Sequence, residues 1–149
     1  MSDNLNDFAE LLMGDALKSY SAKVIDHIMN PRNLGVMENA DGYASGSLGN
    51  CGDTMEIWLK IDGSKISRAS FMTDGCANSI ACGSAITEIV TGKEIKEAML
   101  IGQQSVLDAL DGLPEEDRHC ALHTSNTLKA AIRDYLDTVK EPWKKAYRK

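Results

Sequence analysis

Residues 43 to 74 switch the apolar pattern of this 149-residue chain from one period to another, and that switch limits the folds open to it more than any other feature. Met55, Ile57, Leu59 and Ile61 alternate with Thr54, Glu56, Trp58 and Lys60, the pattern of a strand with one buried face. Asp62-Gly63 then reads as a turn into a second strand. A three-residue loop of Asp62, Gly63 and Ser64 is expected here, because it sets Met55 opposite Phe71 and Ile57 opposite Ala69. Tyr43 to Leu48, small and serine-rich, supplies a third strand at the sheet edge. From Ala77 onward the spacing is helical.

Strands first and helices later imply an α+β domain: a small three-stranded antiparallel sheet, helices packed on one face, and a helical C-terminal half. Phe8, Leu11, Leu12, Ala16, Leu17 and Tyr20, then Val24, Ile25, Ile28 and Met29, predict one long helix or two with a break at Tyr20-Ser21. Ser21 is a suitable N-cap, and Asn30-Pro31 ends the run because the residue before proline is pushed out of helical geometry. Ile80 to Val90 form a helix stopped at Gly92, and Ile95 to Leu100 a short one. Gln104 or Ser105 opens a helix closed by Gly112, and Leu113-Pro114-Glu115-Glu116-Asp117 is a break. Leu122, Leu128, Ala131, Ile132 and Tyr135 mark a long amphipathic helix before a basic tail. One domain over 1–149 is expected, with residues 1–19 an N-terminal helical extension.

A hydrophobic content of 43% is ordinary for a globular core, and no run approaches a membrane span of roughly 18 apolar residues. The polar, acidic start is unlike a signal peptide, so the expected compartment is the cytoplasm. A net charge of -6 argues against binding nucleic acid. In a reducing compartment, four cysteines point to metal binding, catalysis or burial rather than to disulfides.

Cys51 stands between Gly49 and Gly52 before a strand, Cys76 follows Gly75 before a helix, and His119-Cys120 open the last long helix. Thiols at helix N-termini are favoured as thiolates by the unpaired amides and the helix dipole, and thiolates bind metal and attack sulfur. No Cys-x-x-Cys, zinc-ribbon or ferredoxin spacing is present, and Thr91-Gly92-Lys93-Glu94 is not a phosphate loop. Three soft ligands with Asp53 and His119 as further donors fit either zinc or an iron-sulfur cluster. A zinc hydrolase is disfavoured, since no Glu lies in a metal-binding helical motif. Cys82, six residues past Cys76, faces elsewhere on an ideal helix and reads as a buried small hydrophobe. His27 reads as structural and His123 as a surface histidine.

Tyr20-Ser21, Asn30-Pro31-Arg32-Asn33-Leu34-Gly35, Cys51-Gly52-Asp53, Gly75-Cys76 with Ser79-Ile80-Ala81, and Leu113-Pro114 with His119-Cys120 resemble, in order, the IscU/NifU-type iron-sulfur cluster assembly scaffold. The resemblance runs from about Tyr20 to Tyr135. It implies a non-enzymatic carrier that accepts persulfide sulfur from a cysteine desulfurase, binds iron, builds a labile 2Fe-2S cluster and passes it to apo-proteins. Carried over residue by residue, it makes Cys51, Cys76 and Cys120 cluster ligands, with Asp53 or His119 completing the set. It also makes Cys120 the first persulfide acceptor and Asp53 the residue that keeps the cluster labile. Zinc is the alternative occupant in the cluster-free protein, with a zinc-binding activator of a desulfurase as the alternative function, and a homo-oligomer is compatible with either. The IscU branch carries Leu-Pro-Pro-Val-Lys where this chain has Leu113-Pro114-Glu115-Glu116-Asp117, so the resemblance supplies no Hsp70-type chaperone partner by that route. Only 43 residues separate Cys76 from Cys120, which leaves no room for the insertion of the SufU branch.

Overall fold

The computed structural model describes residues 20–47 and 53–140. Helix α1 (Ala22–Met29) is followed by strands β1 (Gly42–Ser47), β2 (Thr54–Asp62) and β3 (Lys65–Thr73). Helices α2 (Ala77–Val90), α3 (Ile95–Ala98) and α4 (Gln103–Ala109), a 3-10 turn (Glu115–Asp117) and α5 (Arg118–Lys140) complete the order. The strands form one antiparallel sheet in the order β1-β2-β3. This is the α+β architecture expected from the change of period.

Ser21 caps α1 by accepting the Val24 N–H at 3.1 Å, and Asn30, before Pro31, ends the helix. The expected break at Tyr20-Ser21 is therefore where α1 begins; residues 1–19 lie outside the described residues. The chain then crosses to the free edge of β3, where Phe71 N–H donates to Asn33 O at 3.0 Å and Gly35 N–H donates to Phe71 O at 2.9 Å. The Asn33–Gly35 segment thereby covers an edge that would otherwise be open to another strand.

The hairpin register differs from the expected one by two residues. Asp62 pairs with Lys65, so the turn is the two residues Gly63-Ser64, with Gly63 at φ 65°. Between Lys60 and Ile61 the register shifts, leaving Ser67 as the extra residue, and Ile57 comes opposite Phe71 and Leu59 opposite Ala69. The bulge reconciles a tight turn with a common apolar face, which a loop of three residues was expected to do. Two further expectations are corrected: α4 opens at Gln103, with Gly102 at its N-cap, and Glu115–Asp117 form a 3-10 turn leading straight into α5.

Met55, Ile57, Leu59 and Phe71 are fully buried beneath the helices, while Glu56, Trp58 and Lys60 face outward. Tyr43 lies beside Trp58 on that outer face, ring centroids 5.3 Å apart, and its hydroxyl donates to Glu56 at 2.9 Å. α5 crosses β1, where Asp134 accepts the Tyr43 N–H at 2.9 Å. The buried stripe of α5 is Ala121, Thr124, Ser125, Leu128, Ala131 and Ile132. Leu122, expected in that stripe, is 41% exposed. Ser125 takes up the inward position beside it, and its hydroxyl donates to Leu122 O at 2.7 Å, which offsets the cost of burying it.

His27 is structural, as expected. It is buried, and its Nδ1 lies 2.7 Å from Ser84 Oγ on α2, which also accepts the Arg32 N–H at 2.8 Å. Burial, then the nearby Arg32 cation, holds the imidazole pKa below its ordinary value. The folded state thus keeps His27 neutral, so its contribution is present above the unfolded value of about 6.5 and is lost as pH falls below it. Denaturant titrations on either side of pH 6.5 should show stability dropping on the acid side, and His27→Gln should flatten that part of the profile.

Gly83 of α2 lies directly under the Phe71 ring: a Cβ there would overlap ring carbons in a core with no space to yield. Gly83→Ala should therefore destabilise the fold by about 1–3 kcal/mol in denaturant titrations, although alanine is the better helix former by about 1 kcal/mol.

Candidate metal and sulfur site

The antiparallel pairing brings three chain segments to one end of the sheet. Ser47, the last residue of β1, pairs with Thr54, and Met55 pairs with Thr73. Thr54 N–H donates to Asp74 Oδ1 at 2.8 Å, and the Thr73 hydroxyl donates to Thr54 O at 2.7 Å. The Thr73 hydroxyl oxygen also accepts the Gly75 N–H at 3.0 Å. These bonds clamp Asp53, next to Thr54, to the Thr73–Cys76 turn. Cys51 falls in 48–52, outside the described residues, but both flanks of that segment are at this end.

Cys76 is the N-cap of α2, and its carbonyl accepts the Ser79 N–H at 3.0 Å. The tightness of that turn depends on Gly75, where a Cβ would come within 2.5 Å of Ser79 Oγ. Cys120, in the first turn of α5, reaches the same place from the other side. Asn78 joins them: its Nδ2 donates to Cys120 Sγ at 3.5 Å, and its Oδ1 accepts from Cys76 Sγ. Ser79 Oγ lies 3.9 Å from the Cys76 sulfur and 4.0 Å from the Cys120 sulfur. His119 Nε2 is 3.9 Å from Cys120 Sγ, and the His119 ring meets His123 edge-on at 6.1 Å. His123 is thus partly exposed on α5, with its ring edge-on to that of His119.

Two N-terminal helix ends therefore meet at this point, both of which favour electron-rich sulfur. Cys76 is exposed and Cys120 buried. Among the described residues, no three His, Cys, Asp or Glu side chains converge closely enough to hold a metal ion by themselves. Cys76 and Cys120 are brought together across Asn78, and His119 lies beside Cys120; Asp53 is next to Thr54, which is tied to Asp74 at the same sheet end. Cys82 is fully buried, as its helical offset suggested, and burial pushes its thiol pKa up, with the nearby sulfurs of Cys120 and Cys76 adding to the effect.

Tyr20 completes the rim. Its hydroxyl donates to Asp117 Oδ2 at 3.4 Å, and burial, then the Asp117 charge, pushes its pKa up to about 12. Ser21 Oγ donates to Leu110 O, fixing the start of α1 against the end of α4. Sequence reasoning quoted Tyr20 and Ser79 in motifs without a role and did not single out Asn78. A polar residue in the first turn of a helix reads as a capping group, and only the approach of α5 reveals its second partner.

The family model for the NifU-like N terminal domain matches residues 19–142. The chain belongs to that family. It is 44% identical over 130 residues to the iron-sulfur cluster assembly scaffold protein IscU 1 of Archaeoglobus fulgidus, covering 82% of this chain and 84% of the relative. It is 42% identical over 121 residues to the scaffold protein IscU of Escherichia coli, covering 78% and 94%. Among solved structures, a putative iron-sulfur cluster assembly scaffold protein for the SUF system from Fervidobacterium islandicum superposes with a TM-score of 0.66 at 25% identity, covering 78% and 98%. A NifU-like protein from Brucella abortus shares the fold, with a TM-score of 0.64 at 20% identity, covering 82% and 97%. No helix among the described residues is long and apolar enough to cross a membrane.

The thiols should separate by reactivity. Near neutral pH, iodoacetamide should label Cys76 of the folded protein well before Cys82, which should react only after unfolding; mass spectrometry of the alkylated peptides reads the order.

Proposed function

We propose that this protein is a scaffold for iron-sulfur cluster assembly, acting as a carrier and not as an enzyme. The observation that carries this reading is the pairing of Cys76 and Cys120 at two helix N-termini, bridged by Asn78, in a chain 44% identical to a named scaffold. The cluster is cargo. Cys51, Cys76 and Cys120 hold it, with Asp53 or His119 as the fourth ligand, and the whole chain is one scaffold domain with residues 1–19 as an extension. A reducing cytoplasm suits such thiols.

Sulfur arrives from a persulfidated cysteine desulfurase. The Cys120 thiolate attacks the outer sulfur of that persulfide; the desulfurase S–S bond breaks, its electron pair leaves on the desulfurase cysteine, and a new S–S bond forms at Cys120. Two electrons per sulfur, from an external thiol or electron-transfer protein, then break the new S–S bond and release the outer sulfur as sulfide to iron, Cys120 returning to thiolate; the labile 2Fe-2S cluster so formed passes to apo-proteins. An oxygen ligand on iron exchanges more readily than a fourth thiolate, which gives Asp53 the role of releasing the cargo.

Anaerobic incubation with iron, cysteine and a desulfurase should yield a visible-absorbing cluster that moves to an apo-ferredoxin. Folded protein that builds no cluster, yet carries zinc and speeds the desulfurase, would replace this reading by that of a zinc-binding activator. Asp53→Ala should hold its cluster severalfold longer, measured as the decay of visible absorption in the presence of apo-ferredoxin. Faster loss than from the unaltered protein would remove the release role.

A further inference from the structure

Asn78 is 2% exposed and is hydrogen-bonded to both described sulfurs of the site, with opposite ends of its carboxamide. A carboxamide has fixed polarity, since its nitrogen only donates and its oxygen only accepts. Here the nitrogen faces Cys120, at 3.5 Å from Sγ, and the oxygen faces Cys76. Ser79, at 3.9 Å from one sulfur and 4.0 Å from the other, does not tell them apart.

We propose that Asn78 is a positioning residue that directs incoming sulfur to Cys120 and away from Cys76. The proposal rests on the scaffold reading above and concerns which sulfur of that site is used first. Transfer leaves an anionic terminal sulfur on the acceptor. At Cys120 that sulfur meets the donor end of Asn78, which has a second N–H to offer; at Cys76 it meets the carbonyl oxygen, which repels it. The attraction at Cys120 acts out of water, where an amide dipole is felt more strongly than at a surface, while the repulsion comes from a buried carbonyl acting on the exposed Cys76. Exposure works in the opposite direction, because Cys76 is exposed and Cys120 is only 3% exposed. Access alone would send sulfur to Cys76, so the preference isolates what Asn78 contributes.

The test is to incubate the full chain with a cysteine desulfurase and cysteine, without oxygen or iron, then alkylate the persulfides and map them by mass spectrometry. In the unaltered protein Cys120 should carry the larger share. Asn78→Asp keeps the size and the oxygen facing Cys76 but replaces the donor end, and should lower the ratio of Cys120 to Cys76 persulfide severalfold. Asn78→Ser, too short to span both sulfurs and free of the buried charge, should move the ratio the same way by less; it decides the matter if the Asp variant does not fold. A purely structural role for Asn78 would slow both cysteines together and leave the ratio unchanged, and that result in Asn78→Ser overturns the proposal while leaving the scaffold reading in place. A larger share at Cys76 in the unaltered protein also overturns it. No persulfide on any cysteine of the unaltered protein would overturn both.

Discussion

The approach of α2 to the sheet, with Gly83 against the Phe71 ring, is the contact from which the rest of the molecule is set. Phe71 is the largest fully buried side chain among the described residues; its backbone pairs with Ile57 on one side and is bonded to Asn33 and Gly35 on the other. A strand residue paired on both edges, its ring buried against α2, leaves the helix little freedom in depth, and the position under the ring takes only a residue without a side chain. Because α2 follows β3 after just Asp74, Gly75 and Cys76, its depth and direction also determine where the Cys76 sulfur sits.

The same economy of connection operates at the end of the sheet. Asp74 and Thr73 tie the last turn of β3 to the first residue of β2, so Asp53 and Cys76, which are 23 positions apart, are held by a handful of short hydrogen bonds. α5 enters from the opposite side, led by the 3-10 turn, and presents His119 and Cys120 to the N-terminus of α2. Tyr20 and Asp117 close one flank. Cys76 and Cys120 thus stand at helix starts, and the outer position of Cys76 leaves its sulfur open to solvent while that of Cys120 is covered.

Much of this was legible in the residues. The period-2 run of Met55 to Ile61 and the helical runs after Ala77 state the α+β class, Ser21 and Asn30-Pro31 mark the ends of α1, and Cys76 and His119-Cys120 fall at helix starts as their neighbours suggested. The failures share one cause. A bulge at Ser67 does not alter the alternation by which a strand is recognised, yet it changes every cross-strand partner beyond it. Leu122 is apolar and near the right angle for the core, but the surface it would have met is filled by Ala121, Thr124 and Ser125.

By itself, the sequence determined the kinds of element, their order, and the supply of soft ligands at their ends, because period, capping and turn chemistry are local properties read within a few residues. The tertiary structure alone decided the register, the depth of α2, and the meeting of Cys76 and Cys120 across Asn78, a residue 42 positions from its second sulfur. Those depend on which surfaces exclude water together. That exclusion turns an amide at the start of a helix into a group that addresses two thiols with opposite ends.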